Sequence, residues 1–115
     1  IECSNLKSVI FPSGVNIIGD GAFGYCTGLE SIIMSDSVTK IGNHTFHNCK
    51  NLKNVQLSNN VTNISNYMFY GCIKLQNLEF SKNVSRIGYM AFGKCINLKN
   101  VIIPNEQVYI EENAF

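Results

Sequence analysis

The sequence repeats with a period of 23 residues along its whole length. Each period contributes one cysteine and one phenylalanine, which form the columns Cys3, Cys26, Cys49, Cys72, Cys95 and Phe23, Phe46, Phe69, Phe92, Phe115. An internal period of roughly 20 to 50 residues indicates a repeat protein whose units pack on their neighbours. Five periods make up the 115 residues. We therefore predict a single repeat domain over residues 1–115, without caps and forming part of a longer solenoid.

The first half of each period predicts a β-strand. "LKNVQLSNNV" from Leu52 to Val61 and "LQNLEFSKNV" from Leu75 to Val84 both follow the leucine-rich-repeat pattern. Within the first period, Val9 and Phe11 point to one side and Ile10 to the other, as a strand requires. Strands are expected near residues 8–11, 31–34, 54–57, 77–80 and 100–103, stacked in parallel about 4.8 Å apart.

The second half of each period, such as "VNIIGDGAFGYC", predicts a short second strand followed by a tight turn. We assign Gly19, Gly42 and Gly88 to a sharp bend, where a side chain would cost free energy. The fold class that follows is a leucine-rich-repeat solenoid. We expect a right-handed coil with a parallel concave β-sheet, short second strands and irregular or 3₁₀ convex turns.

Two complete periods, "CTGLESIIMSDSVTKIGNHTF" and "CINLKNVIIPNEQVYIEENAF", carry a family resemblance. They resemble the BspA-like, or treponemal, leucine-rich repeat, C-x-x-L-x-x-I-x-I-P-x-x-V-x-x-I-G-x-x-A-F-x-x. The chain departs from this form where Ser65 and Glu111 replace the glycine and where Val108 lies one place late. The resemblance implies a surface or secreted microbial adhesin that binds host matrix or cell-surface ligands, and an extracellular or cell-surface location.

The outward positions of the predicted strands are the candidate binding residues. They form two columns on the concave face: Ser8, Ser31, Asn54, Asn77, Asn100 and Ile10, Ile33, Gln56, Glu79, Ile102. Isoleucine also suits strands, and stacked asparagines can form a hydrogen-bonding ladder, so the columns have a structural explanation. Alternatively, apolar side chains rimmed by polar ones indicate a contact surface for a protein or glycoconjugate.

The stretch "NHTFHNC", residues 43 to 49, contains the chain's two histidines, His44 and His47. Both lie in variable columns, which predicts a surface location. Zinc needs about three or four converging ligands, and two histidines with an inward-pointing thiol do not supply them. We predict no metal site and no cofactor. The tyrosines Tyr25, Tyr67, Tyr70 and Tyr89 fall on the convex side and either cover the turns or form a second contact surface.

The cysteine column predicts buried free thiols. Cysteines one repeat apart are close enough for disulfides, but side chains in register point along parallel vectors, which opposes bridge geometry. Free cysteine behaves as a small buried apolar residue. The cysteine and phenylalanine columns are therefore assigned structural roles.

Four N-glycosylation motifs begin at Asn43, Asn60, Asn63 and Asn83. Asn60 and Asn83 occupy the structural asparagine position of the repeat, where we expect a buried side chain. Asn43 and Asn63 are therefore the candidate glycosylation acceptors.

The sequence does not favour nucleic-acid binding, a membrane span or catalysis. A net charge of +1 provides no basic surface for nucleic acid, and no apolar run reaches the roughly 18 to 20 residues of a membrane span. No nucleophile is paired with a base, so we expect no enzyme. The alternatives to adhesion are an intracellular protein-interaction scaffold and a structural stalk segment, and open repeat ends would allow end-to-end self-association.

Overall fold

The computed structural model describes residues 3–115, apart from the side chains of Glu79 and Asn100. Each period contributes one long and one short strand, and the described residues contain no helix. The long strands are β1 (Ser8–Phe11), β3 (Ser31–Met34), β5 (Asn54–Gln56), β7 (Asn77–Glu79) and β9 (Asn100–Ile102). The short strands are β2 (Ile17–Ile18), β4 (Lys40–Ile41), β6 (Asn63–Ile64), β8 (Arg86–Ile87) and β10 (Tyr109–Ile110).

The long strands form one parallel sheet in the order β1-β3-β5-β7-β9. Each residue pairs with the residue 23 positions later, as Ser8 does with Ser31 and Asn54 with Asn77. The predicted solenoid is confirmed, with four complete turns between the first and last long strand. Two long strands have the predicted bounds, and the other three end one residue earlier than predicted.

The short strands form a second, interrupted sheet. One part contains β10, β8 and β6, and the other contains β2 and β4. The backbone amides of Gly42 and Gly88 donate to the carbonyls of the preceding turn, at 2.8 and 2.7 Å. At the step from β4 to β6 the described chain has no equivalent bond from the backbone amide of Ser65 to the Ile41 carbonyl. The hydroxyl of Ser65 donates to that carbonyl instead.

Close stacking of turns is the reason why a side chain would cost free energy at Gly42 and Gly88. A Cβ on Gly42 would lie 2.5 Å from the backbone nitrogen of Asp20, and one on Gly88 would lie 2.8 Å from that of Asn66. Neither glycine has a left-handed backbone. At Gly19, by contrast, an added Cβ would meet nothing within 4 Å.

The core lies between the two sheets and is built from repeated columns. Phenylalanine rings from successive turns stack nearly parallel, with centroids 5.2 to 5.6 Å apart and planes within 11°. Phe46 and Phe69 are fully buried in this stack. Such stacking links each turn to the next, which is how a repeat protein obtains its stability.

The convex side consists of consecutive tight turns closed by bonds between residues three apart, such as Cys26 N to Phe23 O at 3.2 Å. In the described part of the chain these turns do not form a 3₁₀ helix. Two columns of the turns have left-handed backbones: Gly21, His44, Tyr67, Met90, Asn113 and Tyr25, Asn48, Gly71, Lys94. Left-handed φ is rare for residues other than glycine, so these columns bring backbone strain to the convex surface.

Candidate interaction surfaces

The concave sheet presents its predicted outward columns to solvent. Ile10 on β1 is 69% exposed, its register partner Ile33 on β3 is 42% exposed, and Ile102 on β9 is 60% exposed. Between these strands, Asn54 and Gln56 are also exposed. The inward residues of the same strands, such as Ile32 and Leu78, are buried. The sheet therefore has apolar side chains toward both edges and polar side chains in its middle.

A shallow groove of about 500 Å³ crosses this face. Its lining comes from four strands and includes Ile33, Asn54, Gln56, Asn77 and Ile102. The site residues Glu79 and Asn100 have described backbones in β7 and β9, but their side chains lie outside the described part of the structure. Ser8 and Ser31, the first two residues of one predicted column, lie on the neighbouring strands β1 and β3. Ser8 is exposed and Ser31 is half-buried.

The two histidines lie on the convex surface among tyrosine rings. His44 stacks on Tyr67 with centroids 4.7 Å apart, and His47 makes an edge contact with Tyr25 at 4.5 Å. His47 Nδ1 lies 3.1 Å from the carbonyl oxygen of His44. Over residues 3–115 no group of three or more metal-ligating side chains comes together. The arrangement is an aromatic surface. The sequence placed the tyrosines on this side but did not show that the histidine rings join them.

The thiols form a hydrogen-bonded ladder inside the solenoid. The Sγ atoms of Cys49, Cys72 and Cys95 lie 3.1 to 3.2 Å from the phenylalanine carbonyl oxygens of the preceding turn. All five cysteines are free. Burial raises the pKa of the Cys49 thiol to about 12 and that of the Cys72 thiol well above its ordinary value. These cysteines are therefore poor nucleophiles.

The four glycosylation motifs differ in how their amides are used. Asn60 and Asn83 are exposed, so the expectation of buried side chains was wrong. Their amide nitrogens nevertheless donate to the carbonyls of Asp36 and Asn59, both at 2.7 Å. Asn63 and Asn43 are exposed as well.

A ladder of side-chain oxygens joins the turns on the second sheet, and the sequence columns did not predict it. The Oδ1 atom of Asp20 accepts from the backbone amide of Asn43 at 2.8 Å. Asn43 Oδ1 then accepts from Asn66, and Asn66 Oδ1 from Tyr89, at 3.1 and 2.8 Å. One aspartate and two asparagines occupy this column in succession, and their shared carbonyl-type oxygen is the signal that would have identified the ladder.

Comparison with known proteins identifies the repeat. Residues 1–115 match the family described as BspA type leucine rich repeat region, with six copies of the repeat. The chain belongs to this family. The match covers the whole sequence and confirms the resemblance that the columns indicated. The BspA-type repeat and its fold are typically non-enzymatic and make the chain a protein-interaction module.

Three solved structures of bacterial leucine-rich repeat proteins are similar to this chain. A leucine rich cell surface protein from Faecalibacterium prausnitzii is 28% identical, with a TM-score of 0.71 over 87% of this chain. The leucine rich repeat protein of T. pallidum is 26% identical, with a TM-score of 0.85 over 91%. One from Bacteroides ovatus is 25% identical, with a TM-score of 0.79 over 90%.

The chain covers 32%, 51% and 29% of these three proteins, so it corresponds to less than two thirds of each. None of the curated proteins matches the sequence. Among the described residues, no helix has the length and apolar character to cross a membrane.

Proposed function

We propose that this BspA-type repeat is the ligand-binding part of a microbial surface or secreted adhesin. Its concave sheet contacts a protein or glycoconjugate of the host matrix or host cell surface. The observation that carries the proposal is the register of Ile10 and Ile33, two exposed isoleucines on adjacent strands of one continuous sheet. Exposed apolar side chains in contact with each other mark interaction sites more often than scattered ones do.

The geometry of the sheet supports a macromolecular ligand. Its groove is open and extends over four strands, which suits an extended surface better than an enclosed small molecule. The exposed amides of Asn54 and Gln56 supply hydrogen-bond donors and acceptors beside the isoleucines. An apolar anchor with a polar rim is the usual composition of a protein interface.

The surface location rests on a relative. The F. prausnitzii protein, described as a leucine rich cell surface protein, is 28% identical to this chain. The five free thiols are compatible with this location, because the buried ones are protected from oxidation. The same thiols favour the alternative of an intracellular protein-interaction scaffold, since cytosolic proteins keep their cysteines reduced.

The proposal is tested by binding of the immobilised chain to purified extracellular-matrix proteins, with a cytosolic extract offered in parallel. The test variant combines Ile33→Lys with Gln56→Lys, both exposed, so the fold is kept. Matrix binding that is lost in this variant supports adhesion through the concave sheet. Binding only to cytosolic proteins favours the scaffold. If neither the wild type nor the variant binds either source, the stalk function replaces adhesion.

End-to-end self-association is a separate proposal. Phe115 stacks on Phe92 at 5.2 Å, yet 52% of its surface is exposed. A second copy could cover this ring with its own repeat column. Sedimentation of the 115-residue chain over a range of concentrations measures this, and a monomer at all concentrations contradicts it.

A further inference from the structure

The convex turns carry a continuous surface of six aromatic rings. This convex aromatic platform consists of Tyr25, His44, His47, Tyr67, Tyr70 and Tyr89. His44 contacts His47 at 5.3 Å and stacks on Tyr67, and Tyr67 contacts Tyr70 at 5.6 Å. Tyr67 also meets Tyr89 at 5.7 Å. The platform therefore spans several turns of the solenoid above the buried phenylalanine stack.

The neighbouring turns make room for two of these rings. His47 and Tyr70 share a column with Gly24 and Gly93. A Cβ on Gly24 would lie 2.9 Å from Nδ1 of His47, and a Cβ on Gly93 would lie 2.7 Å from Cδ2 of Tyr70. Any larger residue at either glycine would displace a ring. Glycines thus border the platform on two sides and leave room for the rings of His47 and Tyr70.

Three of the rings are held on a strained backbone. Tyr25, His44 and Tyr67 have φ values of 59°, 59° and 57°, where a Cβ costs free energy. Glycine occupies the same two columns at Gly21 and Gly71, with φ of 63° and 76°. A glycine would therefore meet the backbone requirement of these positions without the strain. The left-handed backbone recurs through both columns, at Met90 and Lys94 as well, so it belongs to the repeat, and at Tyr25, His44 and Tyr67 it carries an aromatic ring.

Three of the six rings are exposed, and those of His47, Tyr67 and Tyr70 are half-buried. Tyr25 is 49% exposed and Tyr89 is 40% exposed, and His44 between them is exposed as well. Large aromatic side chains on a strained and exposed backbone contribute little to the core. Their contact with one another leaves a broad aromatic surface facing solvent.

We propose that the convex aromatic platform binds the pyranose rings of a glycan. An aromatic face is electron-rich and attracts the weakly positive C–H groups on the face of a sugar ring, by the same quadrupole that orders aromatic pairs. Tyrosine hydroxyls, imidazole nitrogens and the exposed amide of Asn43 then form hydrogen bonds with the sugar hydroxyls.

Lysine marks one edge of the platform. Lys94 Nζ lies 5.7 Å from the centroid of the Tyr70 ring and covers part of it. The open area is therefore the stretch from Tyr25 through His44 to Tyr67 and Tyr89. This area extends across neighbouring turns, which fits an oligosaccharide chain better than a compact ligand.

The test uses the 115-residue chain and three glycan probes: cellohexaose, chitohexaose and mannohexaose. Binding is followed by saturation-transfer NMR and by chemical-shift changes of the tyrosine and histidine ring protons. The test variant combines Tyr25→Gly with Tyr67→Gly, since glycine occupies both columns elsewhere in the chain. We expect this variant to stay folded and to bind at least about tenfold more weakly, because two stacking faces are lost. The Ile33→Lys, Gln56→Lys variant is the control and should bind as the wild type does.

Several outcomes overturn the glycan site. One is that none of the three probes shifts the platform ring protons in the wild type, a result that does not depend on any variant folding. Another is equal binding by the wild type and the double glycine variant. Glycan binding lost only in the concave control would place the sugar on the other face. If the wild type binds no glycan but sediments as a dimer, and the double glycine variant sediments as a monomer, the platform binds a second copy of the chain instead.

Discussion

The hydroxyl of Ser65 donates a hydrogen bond to the carbonyl oxygen of Ile41 at 2.5 Å. This contact lies where the second sheet is interrupted, between β4 and β6. At the equivalent step to the next turn, the backbone amide of Gly88 donates to the carbonyl of Ile64 at 2.7 Å. The serine side chain has therefore replaced a backbone hydrogen bond, and the carbonyl keeps a partner even though the strands do not pair.

Substitution of Ser65 tests this replacement. Ser65→Ala removes the donor and leaves the buried Ile41 carbonyl unsatisfied, so we expect a loss of about 1 to 3 kcal/mol in the free energy of unfolding. Ser65→Gly should cost less, because the closer approach of the turns lets the backbone amide reach the carbonyl. Urea denaturation measures both, and amide hydrogen exchange should show new protection at residue 65 in the glycine variant only. Equal stability of the two variants would contradict the explanation.

Asn66 holds two groups from the following turn with one oxygen atom. Its Oδ1 accepts from the backbone amide of Tyr89 at 2.8 Å and from Nη2 of Arg86 at 3.0 Å. Arg86 also forms an ion pair with Glu111 at 3.2 Å. We expect Asn66→Ala to lower the free energy of unfolding by about 1 to 3 kcal/mol, since two hydrogen bonds are lost.

Asn66→Asp is the matched control for this prediction. Aspartate keeps the accepting oxygen, and Asp20 already performs this role in the same column. Its stability should stay close to that of the wild type, with a stronger contact to Arg86 at low ionic strength. Thermal unfolding of both variants at two salt concentrations compares them. An aspartate variant as unstable as the alanine variant would show that the ladder bond is not the cause.

Repetition in the sequence determined how much of this fold could be predicted. Columns that keep one residue type, such as the cysteines and phenylalanines, revealed the period of the repeat. The strand positions followed from alternation around Val9, Ile10 and Phe11, because a strand has a period of two. The last three long strands are shorter than predicted because parallel pairing ends before their last inward residue.

The surface features could not be read in the same way. Gly21, His44 and Tyr67 share one backbone conformation, but their side chains have nothing in common, so the column looked merely variable. Contacts such as that between His44 and Tyr67 depend on the stacking distance of the turns, which sequence spacing alone does not give. Exposure of Asn60 was missed because a hydrogen-bonded amide can lie at the surface.

The left-handed columns predict opposite effects for two substitutions. Gly71 has a φ of 76°, and an added Cβ would lie 2.1 Å from Oδ1 of Asn48, so Gly71→Ala should destabilise by more than about 1 kcal/mol. Lys94 occupies the same column with a φ of 59° and is exposed. Lys94→Gly should therefore stabilise by about 0.5 to 1 kcal/mol. Chemical denaturation measures both, with Lys94→Ala as the control that keeps the strain. Stabilisation by alanine equal to that by glycine would contradict the role of the backbone.

The buried thiols make stability depend on pH in the alkaline range. Burial raises the pKa of Cys49 from 9.0 to about 12 and holds that of Cys72 well above 9.0. A raised folded-state pKa means that the unfolded chain releases its thiol protons first. The thiols therefore contribute their full stability below about pH 9, and this contribution is lost as the pH rises toward 12. At pH 10 the Cys49 thiol should lower the free energy of unfolding by roughly 1 kcal/mol, and the Cys72 thiol acts in the same direction.

Urea denaturation between pH 8 and pH 10.5 measures this loss, with the Cys49→Ala, Cys72→Ala variant as the control. All other side chains are the same in both chains, so the thiol contribution is the difference between the two slopes. The variant should be less stable at pH 8, where it lacks two buried side chains, and should lose less stability as the pH rises. Parallel slopes would contradict thiol burial, and so would rapid alkylation of the wild-type Cys49 and Cys72 by iodoacetamide at pH 8 without denaturant. Slow alkylation that becomes complete in urea is the expected result, since only the unfolded chain exposes these thiolates.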